Sequence, residues 1–302
     1  MTQEIIIPLP GNDALAMSIA GHLNVARGSL QTRSFPDQET YLRFEDELNG
    51  RTVVLVCSLN RPDAKFLPLA FAADAARDLG AAKVVLVAPY LCYMRQDQRF
   101  HSGEAVTSVS FARQVSSTFD GLVTVDPHLH RYRALDEIYS IPSRVVHSAP
   151  AIAEWVLNNQ KSAILIGPDI ESEQWVSDVA GQARSPYRVL RKERFGDRNV
   201  KIELPDLTEF RKRTAILIDD IVSSGRTMIE TAKQLRQQGF KAPICIAVHG
   251  LFAPDTEREL LEVAARVVTT NTVPHHTNGI DLSKSIAEQV AALCRSRSTT
   301  TT

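Results

Sequence analysis

The chain has 302 residues, 44% of them apolar and 23% charged, with a formal net charge of −1. Such a composition belongs to a soluble globular protein, and the length suffices for two ordinary domains. It lends no support to a nucleic-acid partner, and no apolar run is long enough to span a membrane.

Glu4 to Pro8 reads as a first strand and Gly11 to Asn24 as a helix, with Leu15, Ile19 and Leu23 spaced by four. Arg33 to Phe44 mixes aromatic and acidic residues around Pro36 and reads as loop or hairpin. Arg51 to Ser58 is a β-type run. Asp63 to Leu79 has helical character, although Pro68 fits comfortably only in a first turn. Lys83 to Pro89 is a strand, and Tyr90 to Glu104 (YLCYMRQDQRFHSGE) is a polar loop. A helix follows on Val106, Val109, Ala112 and Val115, then a strand from Gly121 to Val125 that ends in Asp126-Pro127-His128. A second series starts near Arg144 or Val145, so the expected domains are 1–144 and 145–302. It comprises a helix over Ala151 to Leu157, a strand over Ala163 to Gly167, and Pro168-Asp169 with a helix on Trp175, Val176 and Val179. A short strand spans Tyr187 to Leu190. The charged stretch RKERFGDRN, Arg191 to Asn199, reads as a mobile loop. Strands at Pro243 to Val248 and Arg266 to Thr270 follow, and a terminal helix, Asp281 to Leu293, has Leu282, Ile286, Val290 and Leu293 on one face. Alternating strands and helices predict an α/β fold of two units, each a mostly parallel sheet flanked by helices. Cys57, Cys92, Cys245 and Cys294 are widely spaced without a CxxC pair. They point to a reducing compartment, and MTQEIIIPLP lacks the pattern of an export signal, so a cytoplasmic location is expected.

The densest chemistry lies in Thr214 to Ala232, TAILIDDIVSSGRTMIETA. An apolar strand leads to Asp219 and Asp220, then to the small-residue turn Ser223-Ser224-Gly225 and a helix. Small residues let backbone N–H groups converge on one anion, and the following helix start adds a positive field. The hydroxyls of Ser223, Ser224 and Thr227 can add hydrogen bonds to phosphate oxygens. The carboxylates suit sugar hydroxyls or an accompanying cation. A phosphorylated sugar fits both ends, against the alternative of an ordinary strand–helix connection.

DDIVSSGRT resembles the signature loop of proteins that bind 5-phosphoribosyl 1-diphosphate. Five further segments, in order, resemble those of the ribose-phosphate diphosphokinases: FPDQE (35–39), YLCYMRQDQR (90–99), DPH (126–128), Pro168-Asp169 and Lys192-Glu193-Arg194. The resemblance implies two tandem phosphoribosyltransferase-like domains, with the terminal helix free to pack back on the first. It implies transfer of the β,γ-diphosphoryl group of ATP to the 1-hydroxyl of ribose 5-phosphate, leaving AMP, with Mg²⁺ as cofactor. It also implies a homo-oligomer built on dimers, commonly a hexamer, with the ATP site near a subunit interface.

Residue by residue, the resemblance implies that Phe35 stacks on adenine while Asp37 and Glu39 read its edge; a core aromatic is the plainer reading of Phe35. It places Arg95, Gln96, Asp97 and Arg99 in the ATP pocket, where a solvated loop is the alternative. It assigns His128 to the ATP phosphates and metal region and Asp169 to Mg²⁺. Lys192 and Arg194 become the transition-state cations of a catalytic flexible loop. Asp219 and Asp220 hold the ribose diol, and Ser223, Ser224, Gly225, Arg226 and Thr227 hold the 5-phosphate. No residue stands out as general base.

Several positions depart from the family pattern. Arg226 stands where Gly is usual, Gln98 and Glu193 where many members have arginine, and Ser223 where Asp is common. Ile170-Glu171-Ser172 replaces H-G-G, and His101-Ser102-Gly103-Glu104 replaces R-S-R-E. The altered 101 and 103 positions predict weak phosphate activation and weak ADP inhibition. The rival readings are a phosphoribosyltransferase, a non-catalytic regulatory relative, and a kinase for a related sugar phosphate.

Overall fold

The apolar runs form two parallel sheets whose central strands are buried on both faces, as continuous Val/Ile/Leu runs require. The computed structural model describes residues 4–129, 131–168, 172–195, 199–203 and 205–295, with residue 174 and residues 191–203 by backbone alone.

The first unit runs in the order β1 (Glu4–Pro8), α1 (Asp13–Leu23), β2 (Ala26–Arg27), β3 (Leu30–Ser34), β4 (Thr40–Phe44), β5 (Thr52–Val56), α2 (Asp63–Asp78), β6 (Lys83–Ala88), α3 (Thr107–Thr118), β7 (Gly121–Val125) and β8 (Ser143–Val146). Its sheet has the order β2-β1-β5-β6-β7-β8 with every pair parallel. Ile5, Ile6, Ile7 and Val53 to Val56 are fully buried in it. β3 and β4 form a separate antiparallel hairpin, the alternative left open for residues 33–44.

The second unit contains α4 (Ala149–Asn159), β9 (Ala163–Gly167), α5 (Glu173–Gln182), β10 (Tyr187–Val189), β11 (Arg191–Phe195), β12 (Asn199–Glu203), β13 (Thr214–Val222), α6 (Arg226–Gln237), β14 (Ile244–Gly250), α7 (Thr256–Val263), β15 (Arg266–Thr270) and β16 (Asn278–Ile280). Its parallel sheet has the order β10-β9-β13-β14-β15-β16. One face is filled by Ile164, Ile166, Leu217, Met228, Ala232, Leu235 and Leu260.

The final helix, α8 (Ser283–Arg295), belongs to the first unit, which comprises the chain up to Val146 and from Ser283 onward; the second is His147–Leu282. α8 lies on α1, β7 and β8. Its Ile286, Val290 and Leu293 are buried, and a Cβ at Gly121 would lie only 2.9 Å from Leu293 Cδ2.

Several features differ from the sequence reading, the short strands β2, β8 and β16 among them. Pro68 lies in the second turn of α2, where it forgoes one helix hydrogen bond, yet the helix continues to Asp78 over the buried Leu69, Ala72, Ala73 and Ala76. The stretch 191–199 is not loop throughout: β11 pairs antiparallel with β12, with Lys192 opposite Ile202 and Arg194 opposite Val200. The apolar–polar alternation Val200-Lys201-Ile202-Glu203 is the strand signal behind it. β13 runs on through Asp219 and Asp220 to Val222, held by β14 at Asp219–Ala247 and Ile221–His249. α7 was unforeseen.

Candidate active site

In the second sheet the chain steps outward from β9 to β10, then returns to lay β13 on the other side of β9. Open α/β sheets bind ligands at such a reversal, beyond the carboxyl ends of the strands. β9 ends there in Gly167-Pro168, and β13 ends in the acidic pair. Both carboxylates are half-buried and oriented by the backbone: Asp219 Oδ1 accepts the Asp220 N–H at 3.0 Å and Asp220 Oδ1 accepts the Ile221 N–H at 2.7 Å.

Beyond Val222 the chain turns through Ser223, Ser224 and Gly225 into α6. Gly225 is the N-cap in left-handed conformation, φ +62°, and its carbonyl accepts the Ile229 N–H at 2.9 Å. The turn is anchored from behind. Val222 O accepts the N–H groups of Leu251 and Phe252 at 2.8 and 3.1 Å, and Ser223 O accepts that of Ala253 at 2.9 Å. A Cβ on Gly225 would lie 2.8 Å from Thr256 Cγ2, so α7 backs directly onto the turn. The first N–H groups of a helix have no intrahelical partner, and α6 has no acidic residue in its first turn to offset their field. The arrangement holds an anion at one end and hydroxyls or a cation at the other. Arg226 is exposed at the first position of α6.

The first unit has the same kind of reversal, between β1 and β5, and there the buried Asn12 side chain ties the two strand ends together. Asn12 accepts the Ser58 N–H on Oδ1 at 2.9 Å and donates from Nδ2 to Leu9 O and Pro10 O, each at 3.2 Å. Lys65 adds bonds to Ser58 O and Asn60 Oδ1. Burial is the main cause lowering the Lys65 pKa.

The other candidate residues of the first unit gather in two groups. Gln96, Asp97 and Arg99 lie in the loop after β6, and Asp126 and His128 follow β7, its neighbour in the sheet. The two loops are tied together: Arg131 Nε meets Asp97 Oδ1 at 3.1 Å, and Tyr132 O–H donates to Asp97 O at 3.4 Å. Asp97 is thus a bracing residue here, its side chain 7% exposed. Gln96 is bound at the start of α3, where its Oε1 accepts from Thr107 Oγ1 at 3.3 Å, and Arg99 Nε donates to Glu104 O at 2.9 Å. Glu104 Oε2 takes the N–H groups of Phe100 and His101, and these bonds hold its pKa below the ordinary value. Arg95 is exposed, and His128 is half-buried. Phe35, Asp37 and Glu39 lie apart from these loops in sheet terms, in the exposed connection between β3 and β4. Phe35 N–H donates to Glu39 O at 2.8 Å, Asp37 Oδ1 caps the Glu39 N–H, and Arg33 lies 4.6 Å over the Phe35 ring. Asp169 and the side chains of Lys192 and Arg194 lie outside the described residues.

One group escaped the sequence reading. Glu257, His275 and His276 bring a carboxylate oxygen and two ring nitrogens within 4.8 Å of one another, a set that could hold a metal ion. Burial, with His276 nearby, lowers the His275 pKa against the pull of Glu257. Its only linear signal is the adjacent pair in VPHHT.

Comparison with known proteins bears on both units. Residues 5–117 match the family model described as the N-terminal domain of ribose phosphate pyrophosphokinase, and residues 134–283 match that of the phosphoribosyl transferase domain. The ribose-phosphate pyrophosphokinase of Methanopyrus kandleri is 32% identical over 283 residues, covering 92% of this chain and 96% of that protein. That of Thermoplasma acidophilum is 28% identical, covering 95% and 98%. The crystal structure of phosphoribosylpyrophosphate synthetase from Mycobacterium smegmatis superposes with a TM-score of 0.83 at 20% identity, over 97% of this chain and 99% of that one. The fold is therefore two tandem α/β phosphoribosyltransferase-like domains.

Proposed function

The chain belongs to the ribose-phosphate pyrophosphokinase family, and from that premise we propose that it converts ribose 5-phosphate and ATP into 5-phosphoribosyl 1-diphosphate and AMP. The observation that carries the reading is the β13–α6 junction: two oriented carboxylates, a left-handed glycine turn and an uncompensated helix start in one continuous stretch.

The division of labour follows from the chemistry. The turn Ser223 to Thr227 takes the 5-phosphate, with the Arg226 guanidinium in reach of its oxygens. Asp219 and Asp220 take the ribose diol. Phe35, Asp37 and Glu39 serve adenine; Arg95, Gln96, Asp97 and Arg99 form the nucleotide pocket; and His128 lies against the ATP phosphates. His128 and Asp169 are the residues proposed for Mg²⁺, and the hard carboxylate oxygens of Asp219 and Asp220 would suit a second Mg²⁺ beside the ribose diol. When bound, Mg²⁺ neutralises charge on the polyphosphate. The sugar 1-hydroxyl then displaces AMP in line at the β-phosphorus. Lys192 and Arg194 supply cations to the oxygens on which charge builds, and closing their segment excludes water. The sugar hydroxyl is itself the nucleophile, so no protein nucleophile is required, and positioning contributes to the rate.

Gly103 and His101 leave the effector positions without fixed cations, so the enzyme is weakly activated by phosphate and weakly inhibited by ADP. It works in the cytoplasm as a homo-oligomer; among the described residues no helix is long and apolar enough to cross a membrane.

The test is a product assay with ribose 5-phosphate, ATP and Mg²⁺, with and without inorganic phosphate. AMP and the diphosphosugar are expected in both conditions. AMP only with phosphate would remove the regulatory part, and ADP in place of AMP would sink the transfer itself.

A further inference from the structure

Glu257 is the second residue of α7, and His275 and His276 lie on the segment that leaves β15. Glu257 lies between the two rings: its Oε1 is 2.6 Å from His276 Nε2 and its Oε2 is 3.7 Å from His275 Nε2. The two rings are tilted against each other at 33° with centroids 4.3 Å apart. The Phe252 ring packs against His275 at 4.7 Å. The Glu257 and His275 side chains are 23% and 25% exposed and that of His276 is 72% exposed, so the group is walled on one side and open on the other.

A chain of hydrogen bonds anchors one edge of the His275 ring. Asn278 Nδ2 donates to Val273 O at 3.1 Å, which leaves its Oδ1 to accept Thr269 O–H at 2.7 Å. Thr269 has then used its hydrogen and accepts that of Thr277 at 2.8 Å. Thr277 Oγ1 in turn lies 2.9 Å from His275 Nδ1, and the Thr277 N–H is directed at the same nitrogen at 3.4 Å. Nδ1 is thus the anchored nitrogen of the ring, and Nε2 is the one left to face the Glu257 carboxylate. An imidazole whose second nitrogen is tied to an oxygen acceptor is how metal-binding histidines are held.

We propose that Glu257, His275 and His276 bind one divalent transition-metal ion, Zn²⁺ by preference, with a fourth position open to solvent. Two imidazoles and one carboxylate suit zinc and leave a place for water. Mg²⁺ prefers oxygen ligands alone and is a poor fit. Zinc bonds of about 2.0–2.2 Å set tetrahedral ligands about 3.3 Å apart. The present 2.6 and 3.7 Å bracket that spacing, so small side-chain shifts suffice. The site shares no residue with the proposed Mg²⁺ region. Its walls nevertheless include Phe252, whose N–H binds Val222 O, and α7, whose Thr256 backs Gly225.

The experiment strips the full-length protein with a chelator and titrates Zn²⁺ against a chromophoric competitor in excess Mg²⁺. One tightly bound zinc per chain is expected. Glu257→Gln, His275→Ala and His276→Ala should each weaken it tenfold or more, and Thr277→Val, which removes only the hydroxyl behind His275, by about tenfold. Co²⁺ should give visible bands of a tetrahedral site that the variants lack. Circular dichroism confirms that each variant is folded; Glu257→Gln, which changes only the partly exposed start of α7, carries the test if a histidine variant is not. Zinc retained equally by folded variants, absence of tight zinc, or displacement by Mg²⁺ would overturn the proposal.

Discussion

Gly225 holds φ at +62° between two buried neighbours, Thr256 and Leu260. Alanine there would incur the left-handed backbone penalty and would also press its Cβ to 2.8 Å from Thr256 Cγ2, which is 3% exposed and has nowhere to go. The two costs together are about 2–5 kcal/mol. Gly225→Ala should lower the melting temperature and raise the KM for ribose 5-phosphate at least tenfold, with a smaller effect on the KM for ATP. Steady-state kinetics with each substrate varied would read this, and an unchanged sugar-phosphate KM would detach the turn from the substrate. Asn12 marks the contrast at the same scale: at the equivalent place in the first unit one buried amide ties the turn after β1 to Ser58, beyond the end of β5.

At the scale of elements, α8 is the helix with the plainest energetic role. Leu293 is 5% exposed and fits the space that Gly121 leaves on β7. Leu293→Ala should destabilise the first unit by about 2–5 kcal/mol. Deleting α8 removes three buried aliphatic side chains at roughly 1.5–3 kcal/mol each, comparable to a whole domain's stability. Urea melts followed by limited proteolysis should show the first unit opening early while His147–Leu282 keeps its resistance. Loss of both units together would contradict that division. The buried face of α8 was readable from Ile286, Val290 and Leu293 because helical spacing records burial directly. The β13–α6 junction was readable because its chemistry lies in one short run. α7 escaped because it has only eight residues and starts after a left-handed Asp255. β11 escaped because charged residues hide a strand whose partner carries the apolar alternation. The histidine–glutamate group escaped because the fold, not the sequence, brings position 257 to 275 and 276.

For the whole molecule, burial sets the response to alkali. It pushes the Cys57 and Cys294 thiols up to about 11 and Cys245 to about 12, and raises Cys92 and Tyr139 as well. Tyr93, bonded to Asp63, rises to about 12. In the unfolded chain the thiols release their protons near 9 and the phenols near 10. The native state thus holds more protons above pH 9, and the stability these groups contribute is fully present below that value and falls as pH rises toward 12. Urea midpoints should decline from pH 9 to 11, less steeply in a Cys57→Ala, Cys245→Ala double variant. A flat profile would contradict the burial of these thiols.

The return of α8 to the first unit also has a consequence during synthesis. Everything from His147 to Leu282 must be translated before the first unit receives its last helix. At about 5–20 residues per second, that is a wait on the order of ten seconds, with the α8-facing surfaces of α1, β7 and β8 uncovered. The half of the chain made first is therefore the half completed last. Chaperones have that interval in which to cover the exposed surfaces.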